Sequence, residues 1–126
     1  MANLLNEWLF MADADLASAK FQLGKETFSH ISVYQSHQAV EKILKSFLVA
    51  NHLEIIPRVH DLRKLYQQSK LFGLDLQSEE NDLLELDAYF PRLRYPLGDR
   101  ISVDEASRCY EIAASIFNKI KLMLDR

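Results

Sequence analysis

Between Ser29 and His52 one side of the chain is marked out with the spacing of a single long α-helix. At about 100° per residue, Val33, Ser36, Val40, Ile43, Leu44, Phe47 and Ala50 share one broad arc, which must face a core. Across from it Tyr34, Gln38, Glu41, Lys45 and His52 form a narrow polar stripe at spacings of four, three, four and seven, with Gln35 and Lys42 beside it. Any chemistry on this helix is expected on that stripe. Its plainest structural role is an exposed Glu41–Lys45 pair at i,i+4, worth a few tenths of a kcal/mol. Ile31 and Val49 lie on the same side, away from the inferred core, so a second surface such as a dimer interface is expected to cover them.

Other helices follow from the same periodicity. Leu5, Trp8, Leu9, Ala12, Leu16, Ala19 and Leu23 predict a first helix over residues 3–23, with Asn3 as N-cap and Gly24 as the stop. Thr27 or Ser29 can cap the second helix, which runs to about His52, and Pro57 then forces a loop. A third, shorter helix fits residues 59–71 and ends at Gly73, and a fourth starts at a Ser78 cap and runs to about Phe90. Pro91, Pro96 and Gly98 predict a non-helical connection over 91–101. Ser102-Val103-Asp104-Glu105 is a capping box that opens a last helix carried to the C-terminus by Ala106, Tyr110, Ala113, Phe117, Ile120 and Leu124. No strand-like alternation is bounded by hairpin signals. The fold class is therefore all-α: an up-and-down four-helix bundle with one additional short helix.

With 126 residues the chain is read as one domain, 1–126. A net charge of −3 and a pI near 5.8 argue against sequence-independent binding to nucleic-acid backbone. The lone Cys109 and the start Met1-Ala2-Asn3-Leu4-Leu5, which lacks a signal-peptide pattern, suggest a cytoplasmic protein, and no apolar run is long enough to span a bilayer. Cys109 has no basic neighbour in sequence and reads as a packing residue. Asp13 and Asp15 read as a solvated face, and no metal site is expected.

Four features in order carry a resemblance: Trp8 with Asp15-Leu16, then Gln38-Ala39-Val40-Glu41-Lys42 with Leu44-Lys45, then His60-Asp61-Leu62, and finally Arg94-Tyr95-Pro96. Together they resemble the HEPN domain family, the nucleotide-binding domain of higher eukaryotes and prokaryotes. The resemblance covers nearly the whole chain. It implies a small helical bundle, usually a homodimer, often encoded beside a minimal nucleotidyltransferase and found in toxin–antitoxin or defence systems.

Many members of that family are metal-independent ribonucleases with an Arg-x(4–6)-His motif, in which Arg stabilises phosphate charge and His acts as acid or base. This chain departs from the motif: its histidines are His30, His37, His52 and His60, and the only Arg before any of them is Arg58, two residues ahead of His60. Lys25, five before His30, lacks the planar fork of Arg. The resemblance thus points to a non-catalytic module with no required cofactor, binding a nucleotide, a nucleotidyltransferase partner or both. The candidate binding residues are Gln38, Glu41, Lys42, Lys45, His60, Arg94 and Tyr95. Arg94 could take a phosphate bidentately and Tyr95 could stack on a base, or Arg94 could pair with Glu41 or Asp99 and merely fix its loop. Two alternatives stand beside this reading. One is a ribonuclease built across a dimer from Arg94, His37 or His60, and Lys42; the other is a purely structural dimerisation module.

Overall fold

In the computed structural model, which describes residues 3–96 and 98–125, every regular element is helical. Met1, Ala2, Leu97 and Arg126 lie outside the described residues. The helices are α1 (Leu4–Phe21), α2 (Ser29–Ala50), α3 (Leu62–Lys70), α4 (Glu80–Ala88), α5 (Phe90–Arg94) and α6 (Val103–Leu124). No helix of the described residues is long and apolar enough to cross a membrane. The all-α bundle expected from periodicity is what forms.

The expected boundary signals mostly act where they stand. Asn3 accepts from the Asn6 amide at 3.3 Å, and Gly24 turns the chain with φ +93°, a conformation that an L side chain resists. Ser102 and Glu105 close the capping box of α6 with bonds of 3.0 and 3.1 Å. Three expectations are corrected. Ser78 is not the N-cap of α4: it sits within a 3-10 turn, Gln77–Glu79, and α4 starts at Glu80 without a side-chain cap. Neither Thr27 nor Ser29 caps α2, which follows directly on the 3-10 turn Glu26–Phe28. Residues 91–94, expected to be non-helical, lie in α5. Pro91 is its second residue, where a helix has no acceptor for an amide, so the missing N–H loses nothing and proline restarts the helix instead of ending it.

The core lies around α2, with α1, α6 and α3 packed on it. Ala12 and Ala19 of α1 are fully buried, and the small seam allows Ser32 Oγ to donate to the Ala19 carbonyl at 2.8 Å. Ser18 Oγ donates to Gln35 Oε1 and Lys42 Nζ meets Asp15 Oδ2, each at 2.6 Å. The side of α2 that carries Gln35 and Lys42 is thus covered by α1 of the same chain. From the other direction Ile112, Ile116, Phe117 and Ile120 of α6 join Val40, Ile43, Leu44 and Phe47 in one cluster. Each such side chain contributes about 1.5–3 kcal/mol on burial. Surface pairs such as Arg108 with Glu85 and Lys119 with Glu79 contribute under about 1 kcal/mol each. Burial decides the fold, and the pairs trim its edges.

α3 begins later than its apolar pattern suggested, because its caps are acidic. Asp61 accepts from the Lys64 amide at 3.1 Å. Asp87, at the end of α4, accepts from the Leu62 amide at 3.0 Å and the Arg63 amide at 3.3 Å. The same carboxylate takes a bond from His37 Nε2 at 3.0 Å, so one side chain joins α2, α3 and α4. Burial alone would push the Asp87 carboxyl up, but its bonds to His37 and to the two amides outweigh it and hold the carboxyl below its ordinary 3.8. A carboxyl depressed on folding stabilises the fold above its unfolded pKa, and that stability is lost as pH falls through the folded one. Asp87→Ala should therefore lower the unfolding free energy by about 2–4 kcal/mol in urea titrations at neutral pH. Part of this difference should fade below about pH 4, as the wild-type carboxyl protonates.

Candidate functional site

The polar stripe of α2 is not a surface. Gln38, Glu41 and Lys45 are all buried, with Glu41 4% and Lys45 6% exposed. Lys45 Nζ bonds Glu41 Oε2 at 3.1 Å, Gln38 Nε2 lies 3.4 Å from Glu41 Oε1, and His60 Nδ1 lies 3.1 Å from the same oxygen. The Lys45 ammonium is 5.7 Å from the Trp8 ring centroid, so α1 closes the cluster on one side. The 51–61 connection closes it on the other, with Leu53, Ile56 and Val59 packed against the core. Each of the two buried charges has its partner. Lys42 stands apart, half-buried against Asp15.

A second group forms where α4 passes into α5 and on to α6. Glu105 Oε2 accepts from the Tyr89 hydroxyl at 2.8 Å and from Arg92 Nη1 at 3.3 Å, and Arg92 Nη2 donates to the Asp99 carbonyl at 2.7 Å. Arg92 also lies 5.4 Å over the Tyr89 ring. Its bonds from the Ser102 amide first, then from Tyr89 and Arg92, hold the Glu105 carboxyl below its usual range. Burial, with the bond to Glu105 second, raises the Tyr89 hydroxyl well above its ordinary value. Burial likewise pushes the Cys109 thiol up to about 12, so Cys109 is no nucleophile near neutral pH.

Held by these bonds, the loop after α5 borders a cleft of about 460 Å³ lined by His30, Arg92, Arg94, Tyr95 and Arg100, with Asp99 its one acidic wall. A groove of about 420 Å³ continues from it past His30 and Arg100 to Glu26 and Thr27. Arg94 and Arg100 are exposed and have no ion pair among the described residues. The Arg94 guanidinium rests 4.7 Å from the Phe90 ring centroid. His60 stacks on the same ring at 5.8 Å and 17°, and His37 is tilted against it at 4.9 Å. The cleft thus carries two arginines without an ion pair among the described residues, with the Tyr95 ring, 62% exposed, beside them.

Of the seven candidate residues, the structure gathers Gln38, Glu41, Lys45 and His60 into one internally paired cluster and places Arg94 and Tyr95 in the cleft, while Lys42 joins neither. Arg94 pairs with neither Glu41 nor Asp99. The arginine that meets Asp99 is Arg92, through the backbone carbonyl. His37, a sequence candidate for a ribonuclease site, is fully buried, with Nε2 on Asp87 and no partner at Nδ1. Sequence reasoning missed Arg100, His30, Asp87 and Phe90. A signal existed for the first: Arg92, Arg94 and Arg100 fall within nine residues of a chain whose net charge is −3. No group of acidic, histidine or cysteine side chains among the described residues is arranged to hold a metal ion.

Comparison with known proteins agrees with the all-α fold. The model of the HEPN domain matches residues 5–123. Among solved structures, the crystal structure of an archaeal HEPN homologue superposes with a TM-score of 0.74 at 20% identity, over 98% of this chain and 99% of that one. Identity at that level speaks to the fold. No curated protein sequence matches.

A buried pair is destabilised most when one partner is removed and the other is left without a counter-charge. Glu41→Ala, which strands Lys45, should cost about 3–5 kcal/mol by chemical denaturation. The double variant Glu41→Met, Lys45→Met should recover much of that loss. An exposed pair would give less than about 1 kcal/mol in either variant.

Proposed function

Because the chain belongs to the HEPN domain family, we propose that it is a non-catalytic member that binds the phosphates of a nucleotide in the arginine cleft beside α5. One observation carries the reading: Arg94 and Arg100, without ion pairs among the described residues, converge with His30 on one cleft of an otherwise acidic chain. Two planar forks on one opening suit phosphate oxygens better than isolated lysines would. A cleft of about 460 Å³ has the size of small-ligand sites, and Tyr95 gives a base a ring to stack on. Gln38, Glu41 and Lys45 have a supporting role in this reading, because their polar atoms are occupied within the bundle. A minimal nucleotidyltransferase, in a toxin–antitoxin or defence pair, is the partner that family membership suggests, and its nucleotide is the natural ligand class.

The ribonuclease reading has one observation in its favour. Arg94 and His60 lean on the same Phe90 ring, so a cation and an imidazole share one neighbourhood despite the missing Arg-x(4–6)-His spacing. Against it, His60 Nδ1 is engaged by Glu41 and the ring of His37 is closed to solvent.

Calorimetry with ATP should give binding that weakens about tenfold or more in Arg94→Ala and in Arg100→Ala, with unchanged far-UV circular dichroism. Absence of heat for ATP and other nucleoside triphosphates at millimolar concentration, together with no co-purifying nucleotidyltransferase, would overturn the reading. RNA cleavage in the presence of a chelator, abolished by both Arg94→Ala and His60→Ala, would replace it with the ribonuclease.

A further inference from the structure

The arginine cleft and the groove that continues from it share His30, Arg100 and Ile101, so they are halves of one opening with those residues at the neck. The two halves differ in chemistry. The cleft half carries Arg92, Arg94 and the Tyr95 ring, with Asp99 its one carboxylate. In the groove half the residues that the cleft does not share are Glu26 and Thr27. Both are exposed, and Glu26 has no ion pair among the described residues.

The fold holds the walls of the opening in place. Ile101 is 5% exposed and belongs to the core, and the capping box of α6 starts at the next residue, so the backbone at Arg100 is anchored. Across the neck, Glu26 and Thr27 lie in the 3-10 turn that leads into α2. The Phe28 amide closes that turn on the Lys25 carbonyl at 3.0 Å, and Ser29 Oγ donates to the same carbonyl at 3.3 Å. A groove braced in this way exists before a ligand arrives, so little ordering cost offsets binding.

On the reading that the cleft holds nucleotide phosphates, we infer that the whole opening takes a nucleoside diphosphate whose outer phosphate is esterified to a second sugar. The phosphates sit at the neck, and the second sugar enters the groove and meets Glu26. Charge decides the occupant of the groove. A free terminal phosphate at the neck faces the Glu26 carboxylate, and neither residue of the groove's outer wall is a cation that could offset the repulsion. Esterification removes one charge from that phosphate and places hydroxyl groups beside the carboxylate instead. An ionised carboxylate only accepts, so it calls for donors, and a sugar hydroxyl donating to it makes a charge-assisted bond. Dinucleotide-binding folds hold ribose with an acidic residue by the same chemistry. The Thr27 hydroxyl, which can donate or accept, suits a sugar equally. With about 420 Å³, the groove has the size of a small-ligand site in its own right.

Calorimetry of the full chain with ADP, ADP-ribose and NAD tests this. ADP-ribose adds one sugar to the outer phosphate of ADP, and NAD adds a whole nucleoside. Each should bind about tenfold or more tighter than ADP. Tighter binding of NAD than of ADP-ribose extends the occupant of the groove to a second base. Glu26→Ala should bring the Kd of ADP-ribose to within about threefold of that of ADP. A merely structural role for the turn would weaken all three ligands alike and leave their ratio unchanged. Equal Kd values for ADP and ADP-ribose in the wild type, or a ratio that Glu26→Ala does not move, would overturn the inference. If ADP binding is then still lost in Arg94→Ala, the phosphate site itself stands. No heat with any of the three ligands, and none with ATP, would overturn both.

Discussion

A helix buried along most of its circumference must answer every polar group it carries, and α2 is such a helix. Once α1 and the 51–61 connection close over this side of it, Glu41 and Lys45 leave water together, and the desolvation of each is several kcal/mol unless a partner stands within bonding distance. That requirement reaches well beyond α2. It accounts for Trp8 lying over the Lys45 ammonium, and for the 51–61 connection, whose apolar residues pack inward, delivering His60 to the remaining oxygen of Glu41. The hydrophobic contacts set how tightly the bundle closes, and the buried charges set which loop conformation can close it.

Two carboxylates then do for the helix ends what Glu41 does for the middle. Asp87 gathers the first amides of α3 and the ring of His37, and Glu105 gathers its own cap amide, Tyr89 and Arg92. Between them they fix both ends of the segment that contains α5. Residues two apart on a helix point about 200° apart, so Arg92 and Arg94 cannot serve the same purpose. Arg92, though it also borders the cleft, turns its guanidinium to Glu105 and Asp99 and becomes part of the frame, which leaves Arg94 against Phe90 and the cleft without an ion pair among the described residues.

The fold was largely legible because its signals are local. Periodicity, Asn3, Gly24 and the Ser102–Glu105 box act within one or two helical turns, and a single sequence displays them. The errors came where a residue's meaning depends on position within an element. Pro91 breaks a helix in its interior but not at its second residue, and Ser78 caps only a chain that has not already entered a 3-10 turn. The site was legible in part. Arg94 and Tyr95 reach the cleft, but Arg100 and His30 come from separate stretches that only the packed bundle brings together. Asp87 lies fifty residues from His37 in sequence, a separation that no helical spacing can encode.

The stripe on α2 is the most instructive case, because its wheel position is right and its environment was inferred wrongly. Gln38, Glu41 and Lys45 do lie opposite the main apolar arc, but a helix wheel ranks one side against another and says nothing about how many neighbours the helix has. With α1 and the 51–61 connection against it, the less apolar side is covered as well, and its polar residues then satisfy one another. Glu41 with Lys45 at i,i+4, and Gln38 one turn earlier, is a set of side chains whose spacing alone lets a carboxylate meet an ammonium and an amide on the same helix face. A recognisable sequence motif can therefore be a demand of burial. Beside the cleft, by contrast, Arg94 and Arg100 have no ion pair among the described residues and keep bonding capacity that the bundle does not use.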